Sequence, residues 1–594
     1  MAPAICGNAT HKDVSQKGIR SLLFDYSSLP REFPRSFLPN DLSFDWDRLA
    51  QIFDELQTRE IRSVEEMERW LSSEWEFTAA ISEERAIRSI RYTTQTDNPE
   101  YEKAHLNFIT ELEPKIKHRG FELDKKYVSS PFRSGLPHEV YSTFDKKREN
   151  RVSLFRPKNV ELEKADSELV QKYEKIMGAM TVQYKGEERT LQQMGRFLEE
   201  TDRGVRQEAW ELAEQRRAKE ADKLNHIFDE MIRTRAEIAK NAGFENFRDY
   251  SFRKHERFDY TPEDCFRFHD AVETYFVPLS REMDEDRKRR MGIEDLRPWD
   301  LFVDPDGRSP LRPFNGAGEL VTGCSKVLVD VDRRLAEYFT AMSELRLLDL
   351  ESRKGKAPGG YMEDLSSLRL PFIFMNAVGR DTDVRVLLHE SGHSFHTFLS
   401  RDSGFPTYRG QDVPTEFAEV ASTTMELVSG EHIEGTIYDK EGARRSNRDE
   451  LLSMVKLFCW VTTIDAFQHW VYTHPEHTRE EREKEWLNIF RRYSGLESWE
   501  GYEAAQRNRW QRQIHLFEAP FYYIEYGIAT LGALGIWVRY RSDPHEAISA
   551  YKSALSLGAS RSLPELFGAA GLPWDFGRSQ VGKCAGELRK ALLG

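Results

Sequence analysis

The residues His389-Glu390-Ser391-Gly392-His393 place two imidazoles four positions apart, with a carboxylate next to the first. On a helix that spacing puts both rings on one face, where they can reach a single cation with Glu390 beside it as a base for water. A catalytic zinc takes three protein ligands and keeps a fourth position open, whereas a structural zinc is closed by four ligands, usually rich in cysteine. None of the five cysteines (Cys6, Cys265, Cys324, Cys459, Cys584) is near this motif. The open form is therefore the expectation, and its chemistry is hydrolysis.

A third ligand must come from elsewhere. A histidine ten residues after the first would serve in some zinc helices, but that position is Leu399, and His396 follows too closely, so it is expected to pack beside the site. The stretch TEFAEVASTTMELV (415–428) offers carboxylates instead. Glu419 lies 26 residues beyond His393, after a loop containing Gly404, Pro406 and Gly410 that lets a second helix fold back antiparallel. Glu416 and Glu426 compete with it, and spacing alone does not choose.

Helices are the elements that must position these groups. Asp381-Thr382-Asp383 forms an N-cap region, and Val384, Leu387, Leu388, Phe395 and Leu399 make an apolar stripe. Ser63, with Glu66 three residues on, reads as a capping box. Amphipathic stretches predict helices at about 98–126, 160–178, 203–241, 262–290 and 318–346, and helix nearly throughout beyond Asp381. Two segments break the pattern: a proline-rich loop over about 292–317, and KGKAPGGYMEDLSSLRLPFIFMNAVG (354–379). In the latter, Pro-Gly-Gly marks a turn and PFIFMN a short strand. Asp304-Pro-Asp306-Gly307 reads as a turn, and His474-Pro-Glu-His477 as an acidic loop.

Composition narrows the class. With 86 basic against 100 acidic residues the chain carries a net charge of −14, which argues against a nucleic-acid partner. Five scattered cysteines suit a reducing compartment, the first residues lack an apolar core typical of a secretory signal, and no stretch is long enough to span a bilayer. A cytoplasmic protein without a membrane partner is the expectation. Oligomeric state is not readable.

HESGH followed by PTEFAEVAS resembles the thimet oligopeptidase and oligoendopeptidase F family of zinc peptidases. KGKAPGGYMEDL, PFIFMNAVGRDTDVRVLLHESGHSFHTFLS, HLFEAPFYYIEYGIATLGALGIW (515–537) and KGEERTLQQMGRFLEETDRGVRQEAW (185–210) are also similar to family segments, closest to the oligoendopeptidase F branch. The resemblance implies a mainly α, two-lobed helical zincin (gluzincin) fold with a deep cleft and a small β-sheet next to the metal-binding helix. Patterning along the chain divides it into a loosely ordered 1–28, an N-terminal helical lobe over 29–202 and a catalytic region over 203–594, and the resemblance covers about 180 to the end. It implies one Zn²⁺ on His389, His393 and Glu419, and Glu390 as the base.

It further implies that His515 and the tyrosines Tyr522, Tyr523 and Tyr526 supply donors to the reacting carbonyl, with Tyr526 the first choice. Read from the residues alone, such a tyrosine-rich helix equally suits core packing. The strand PFIFMN, with Phe374 and Asn376, is expected to hold a short peptide as an added strand, and Gly359 and Gly360 to let the preceding loop approach it. A buried strand is the competing reading. The implied activity is an oligoendopeptidase acting on short peptides. A zinc carboxypeptidase or dipeptidase on a similar fold, or a non-catalytic peptide-binding protein, are the alternatives.

Overall fold

The computed structural model describes residues 25–593 apart from 34, 40 and 403–411. The loop residues Gly404, Pro406 and Gly410, and residues 1–24 of the expected loose N-terminus, lie outside the described residues.

Helices α1 (Trp46–Thr58), α2 (Val64–Thr94), α3 (Glu113–Ser129) and α4 (His138–Leu154) close around Phe53, Trp70, Trp75, Tyr127 and Phe144. The start of α2 is only half the expected box. Ser63 Oγ accepts from the Glu66 N–H, but the Glu66 carboxylate accepts from Arg62 N–H, one residue earlier than the Ser63 it was expected to cap. Farther along α2, Ala86, Ile87 and Ile90 enter a second, larger core that gathers apolar residues through to Leu592. Helix α5 (Asn159–Gly178), on the N-terminal side of the expected division, also sends Leu169 and Tyr173 into that larger core.

Next comes a hairpin that period-two patterning does not reveal: β1 (Thr181–Tyr184) and β2 (Glu187–Thr190), turned by Lys185 and Gly186 at φ 50° and 80°. Positive φ at both turn residues matches the twist of a two-residue hairpin.

Two of the predicted long helices are broken, the second of them at a local cap. The 203–241 run is Arg203–Ala218 followed by α6 (Ala221–Ala242). The 318–346 run is interrupted at Asp332, whose carboxylate accepts from the N–H groups of Arg334 and Leu335. The 98–126 run is distorted by a π turn at Phe108–Leu112. Helix α7 (Pro262–Met291) runs unbroken, opened by a reciprocal Thr261–Asp264 capping box. Asp304 and Gly307 form the expected turn, with Gly307 N–H donating to Asp304 O at 3.0 Å.

Three strands follow: β3 (Leu348–Glu351), β4 (Tyr361–Leu365) and β5 (Leu370–Ala377), in the order β3-β5-β4. PFIFMN lies in β5, the central strand, parallel to β3 and antiparallel to β4. At its middle, Ile373 and Phe374 are paired on both sides, so an extended peptide cannot add there, and that expectation is corrected. The outer edges of β3 and β4 are the ones the sheet leaves without a strand partner among the described residues.

Helices α8 (Asp381–Ser400), α9 (Thr415–Gly430), α10 (Lys440–Thr473), α11 (Ile514–Glu518) and α12 (Ile524–Ser542) complete the surroundings of the site. No helix among the described residues is long and apolar enough to cross a membrane.

Candidate metal centre

Helix α8 begins where Asp383 folds its carboxylate back to accept from the Arg380 and Val378 N–H groups. Its stripe of Val384, Leu387, Leu388 and Phe395 is buried, which leaves the HESGH face turned toward α9. A Cβ on Gly392 would stand 2.5 Å from the Ala421 carbonyl oxygen and from Ser422 Cα. Only a glycine permits that approach, and the approach is what brings a carboxylate of α9 to the two imidazoles.

The ligand atoms of His389, His393 and Glu419 lie within 4.8 Å of one another. Glu419 Oε2 is 3.4 Å from His389 Nε2 and 3.8 Å from His393 Nε2. A tetrahedral zinc with bonds of about 2.0–2.1 Å separates its donors by roughly 3.4 Å, so the donor set and its spacing fit that ion. Ser422 Oγ donates to Glu419 Oε2 at 2.9 Å and fixes the carboxylate.

The two competing glutamates have other partners. Glu426, two helical turns beyond Glu419, accepts from His389 Nδ1 at 2.7 Å, so the neutral ring carries its proton on Nδ1 and turns Nε2 toward the metal position. Glu416 is buried and accepts from Tyr260 Oη at 2.8 Å. His396 is buried against Phe417, a packed histidine as expected.

The electrostatics favour positive charge between these groups. Burial disfavours a protonated His389, but Glu426, Glu419 and Glu390 outweigh it and lift its pKa to about 9. Burial raises the Glu390 carboxyl to about 7, an effect that Glu419 reinforces and that His389 and the Met362 N–H oppose. Burial and the neighbouring His389 hold His393 neutral, at about 3. The Met362 N–H reaches Glu390 from β4, so the outer edge of β4 faces the base.

His515 and the three tyrosines form one aromatic cluster. The His515 ring lies 4.8, 5.8 and 5.9 Å from those of Tyr523, Tyr526 and Tyr522. Trp460 Nε1 donates to Gln513 Oε1 at 2.8 Å, and Gln513 Nε2 donates to His515 Nδ1 at 2.7 Å. This chain leaves the His515 proton on Nε2, free to donate. The Tyr522 and Tyr526 hydroxyls both lie in the field of Glu419, whereas Tyr523 bonds to Gln513 and Trp460.

A buried clamp holds the turn before them. His255 Nε2 donates to Pro520 O at 3.0 Å, Gln468 Oε1 accepts from Phe521 N–H at 2.6 Å, and Arg257 donates to Phe521 O and to Glu525. Phe521 sits at φ 70°, a strained value for a residue with a side chain.

The expected peptide-contacting residues are placed otherwise. Phe374 is fully buried and stacks on Tyr361 at 4.8 Å. Asn376 Nδ2 donates to Ala357 O at 2.8 Å and to Gly359 O at 2.9 Å, so it pins the loop. Gly359 takes φ 100°, which requires glycine, while a Cβ on Gly360 would meet only ordinary contacts at 3.5 Å. The same loop is tied to the end of α2 by Thr96 N–H to Gly355 O and Ala357 N–H to Thr93 O. Sequence reasoning passed over Met362, Glu426 as a support for His389, and the clamp around Phe521. Of these, only Glu426 carried a signal, its place on the Glu419 face of α9.

Comparison with known proteins agrees with this geometry. The chain is 23% identical to an oligoendopeptidase F homolog of Lactococcus lactis over 64% of its own length, and the match spans 62% of that relative. It is 24% identical to oligopeptidase PepF of Bacillus subtilis over 50% of its length and 44% of the relative's. The structure of PZ peptidase A with inhibitor 2 superposes with a TM-score of 0.83 at 29% identity, covering 95% of this chain and 99% of that one. Residues 43–155 match the Peptidase M3 N-terminal domain. Residues 196–573 match Peptidase family M3 over more than half of the chain, and the protein therefore belongs to that family.

Proposed function

We propose that this chain is a zinc-dependent oligoendopeptidase that hydrolyses internal bonds of short peptides. The observation that carries the reading is the convergence of His389 Nε2, His393 Nε2 and Glu419 Oε2 at zinc-like spacing beside a buried Glu390. A zinc ion held by these three donors would lower the pKa of water to about 7 and polarise the scissile carbonyl.

The chain's own groups account for the rest. Glu390, with its carboxyl near 7, takes the proton of the attacking water and passes it to the leaving amine. Glu426 holds His389 in the tautomer that offers Nε2. Tyr526 and Tyr522, on the Glu419 side, and the Nε2–H of His515 supply donors to the oxyanion. Tyr523 belongs to the supporting chain through Gln513. The outer edge of β4, with Met362 beside the base, binds the peptide backbone as an added strand and sets the scissile bond against Glu390.

Digestion of a mixed peptide library followed by mass spectrometry, with and without a chelator, tests this reading. Internal cleavage that the chelator abolishes, and that is indifferent to amidated C-termini, is expected. Cleavage confined to free C-terminal residues would assign a carboxypeptidase instead, and full activity in the chelator would remove the metal from the mechanism.

A further inference from the structure

Outside this site, a second set of donors meets where α7 crosses α10 in the larger core. Cys265 and His269 stand four apart on α7, and Asp465 and His469 stand four apart on α10. Each pair therefore occupies one helical face. The ligand atoms of Cys265, Asp465 and His469 lie within 4.8 Å of one another. His269 Nε2 is 2.8 Å and His469 Nε2 3.3 Å from Asp465 Oδ2. All four residues are sealed from solvent, with exposures of 2%, 4%, 0% and 3% along the chain.

Two features of this cluster are unusual for a dry core. Asp465 is a wholly buried carboxylate whose ion-pair partners, among the described residues, are only the two histidines. Buried charges ordinarily have a cationic partner or a metal. His469 Nδ1 has no hydrogen-bond partner and Nε2 has only the 3.3 Å approach to Asp465 Oδ2, although the ring is enclosed by Phe252, Phe266 and Phe521. A thiol, a carboxylate and an imidazole with an unpaired ring nitrogen converging in one place form a donor set that a cation completes.

We propose that Cys265, Asp465 and His469 hold a second divalent transition-metal ion in a solvent-sealed structural site, with His269 fixing the Asp465 carboxylate. Thiolate, imidazole and carboxylate together select zinc over the hard cations magnesium and calcium. Binding releases the Cys265 thiol proton to solvent, and the thiolate becomes the ligand. The ion serves the tyrosine turn through two hydrogen bonds. Asp465 Oδ1 accepts from Gln468 Nε2 at 3.0 Å, and Gln468 Oε1 accepts from the N–H of the strained Phe521. The rival is a metal-free network of hydrogen-bonded histidines around Asp465.

The full-length His389→Ala/His393→Ala double variant, free of any affinity tag, separates these possibilities, because it removes the ligands of the first site. Metal content per chain is measured by mass spectrometry after dialysis. The wild type is expected to hold two equivalents and the double variant one. Cobalt replacement in the double variant should give a thiolate-to-cobalt charge-transfer band, since the first site has no thiolate, and Cys265→Ser in that background should abolish it. A double variant with no bound metal, or with metal but no such band, overturns the proposal. Both readings on the double variant stand even where Cys265→Ser fails to fold.

Discussion

The two donor clusters use the same device, side chains four apart on one helix facing a carboxylate or its partner from another, yet their surroundings differ. His389, His393 and Glu419 are half-buried, with the Glu390 carboxylate beside them and the Tyr522 and Tyr526 hydroxyls in the field of Glu419. Cys265, Asp465 and His469 are fully buried among phenylalanines. Side-chain types alone make both sets capable of holding a cation. What separates a site that can turn over substrate from one that can only be structural is access: an open coordination position, a base in reach, and an unpaired strand edge alongside.

The sharpest way to break this contrast is to remove the base and leave the donors. Glu390→Gln should lower kcat/KM by about 10²–10⁴-fold in a fluorogenic peptide assay while metal content stays unchanged. Retained activity would deny the half-buried cluster its catalytic role.

Among the phenols, Tyr526→Phe should reduce kcat by about 10²–10³-fold with little change in KM, as loss of an oxyanion donor does. Tyr523→Phe should cost less than about tenfold, because Tyr523 bonds to Gln513 and Trp460 rather than facing Glu419. Equal losses would erase the distinction between the tyrosines.

Gly392→Ala tests how the half-buried cluster is assembled. The added methyl meets the α9 backbone at 2.5 Å, where no side chain can yield. Overpacking of this kind costs about 1–3 kcal/mol of stability, read from denaturant unfolding. The variant should also lose metal from His389, His393 and Glu419 and leave the sealed cluster unaffected, read as metal content.

The smallest effect concerns pH. Burial drops the His255 pKa from the ordinary 6.5 to about 3, with Arg257 assisting, so the folded state keeps this histidine neutral while the unfolded chain protonates it. Its contribution to stability is therefore complete above about 6.5 and is lost as pH falls toward 3. His255→Gln, which keeps a donor for Pro520 O, should make the unfolding midpoint less sensitive to acid over that window. An unchanged acid slope would remove His255 from the clamp's pH response.

Legibility in the sequence followed range. The HESGH pair, the α8 stripe and the capped start of α8 depend on neighbours within a turn or two, and the spacing fixes them. The hairpin at 181–190 and strands β3 and β4 went unread because their few residues lack alternation, and pairing holds them in place. PFIFMN was recognised as a strand but misplaced at the edge, since which strand pairs on both sides is decided by residues far along the chain. Glu419, Glu416 and Glu426 were equivalent as letters on one helix, and only the family resemblance ranked them.

From its sequence alone, the chain fixed a helical fold and one catalytic-type motif, because helix periodicity and the i, i+4 face are local properties of the backbone. Only the tertiary structure assigned the three glutamates their separate partners, put β4 at an edge of the sheet, bent Phe521 into its strained turn and brought Cys265 to His469. Each of these requires side chains of distant helices to meet at hydrogen-bond or contact distance, and that is set by packing at places such as Gly392 rather than by any local pattern.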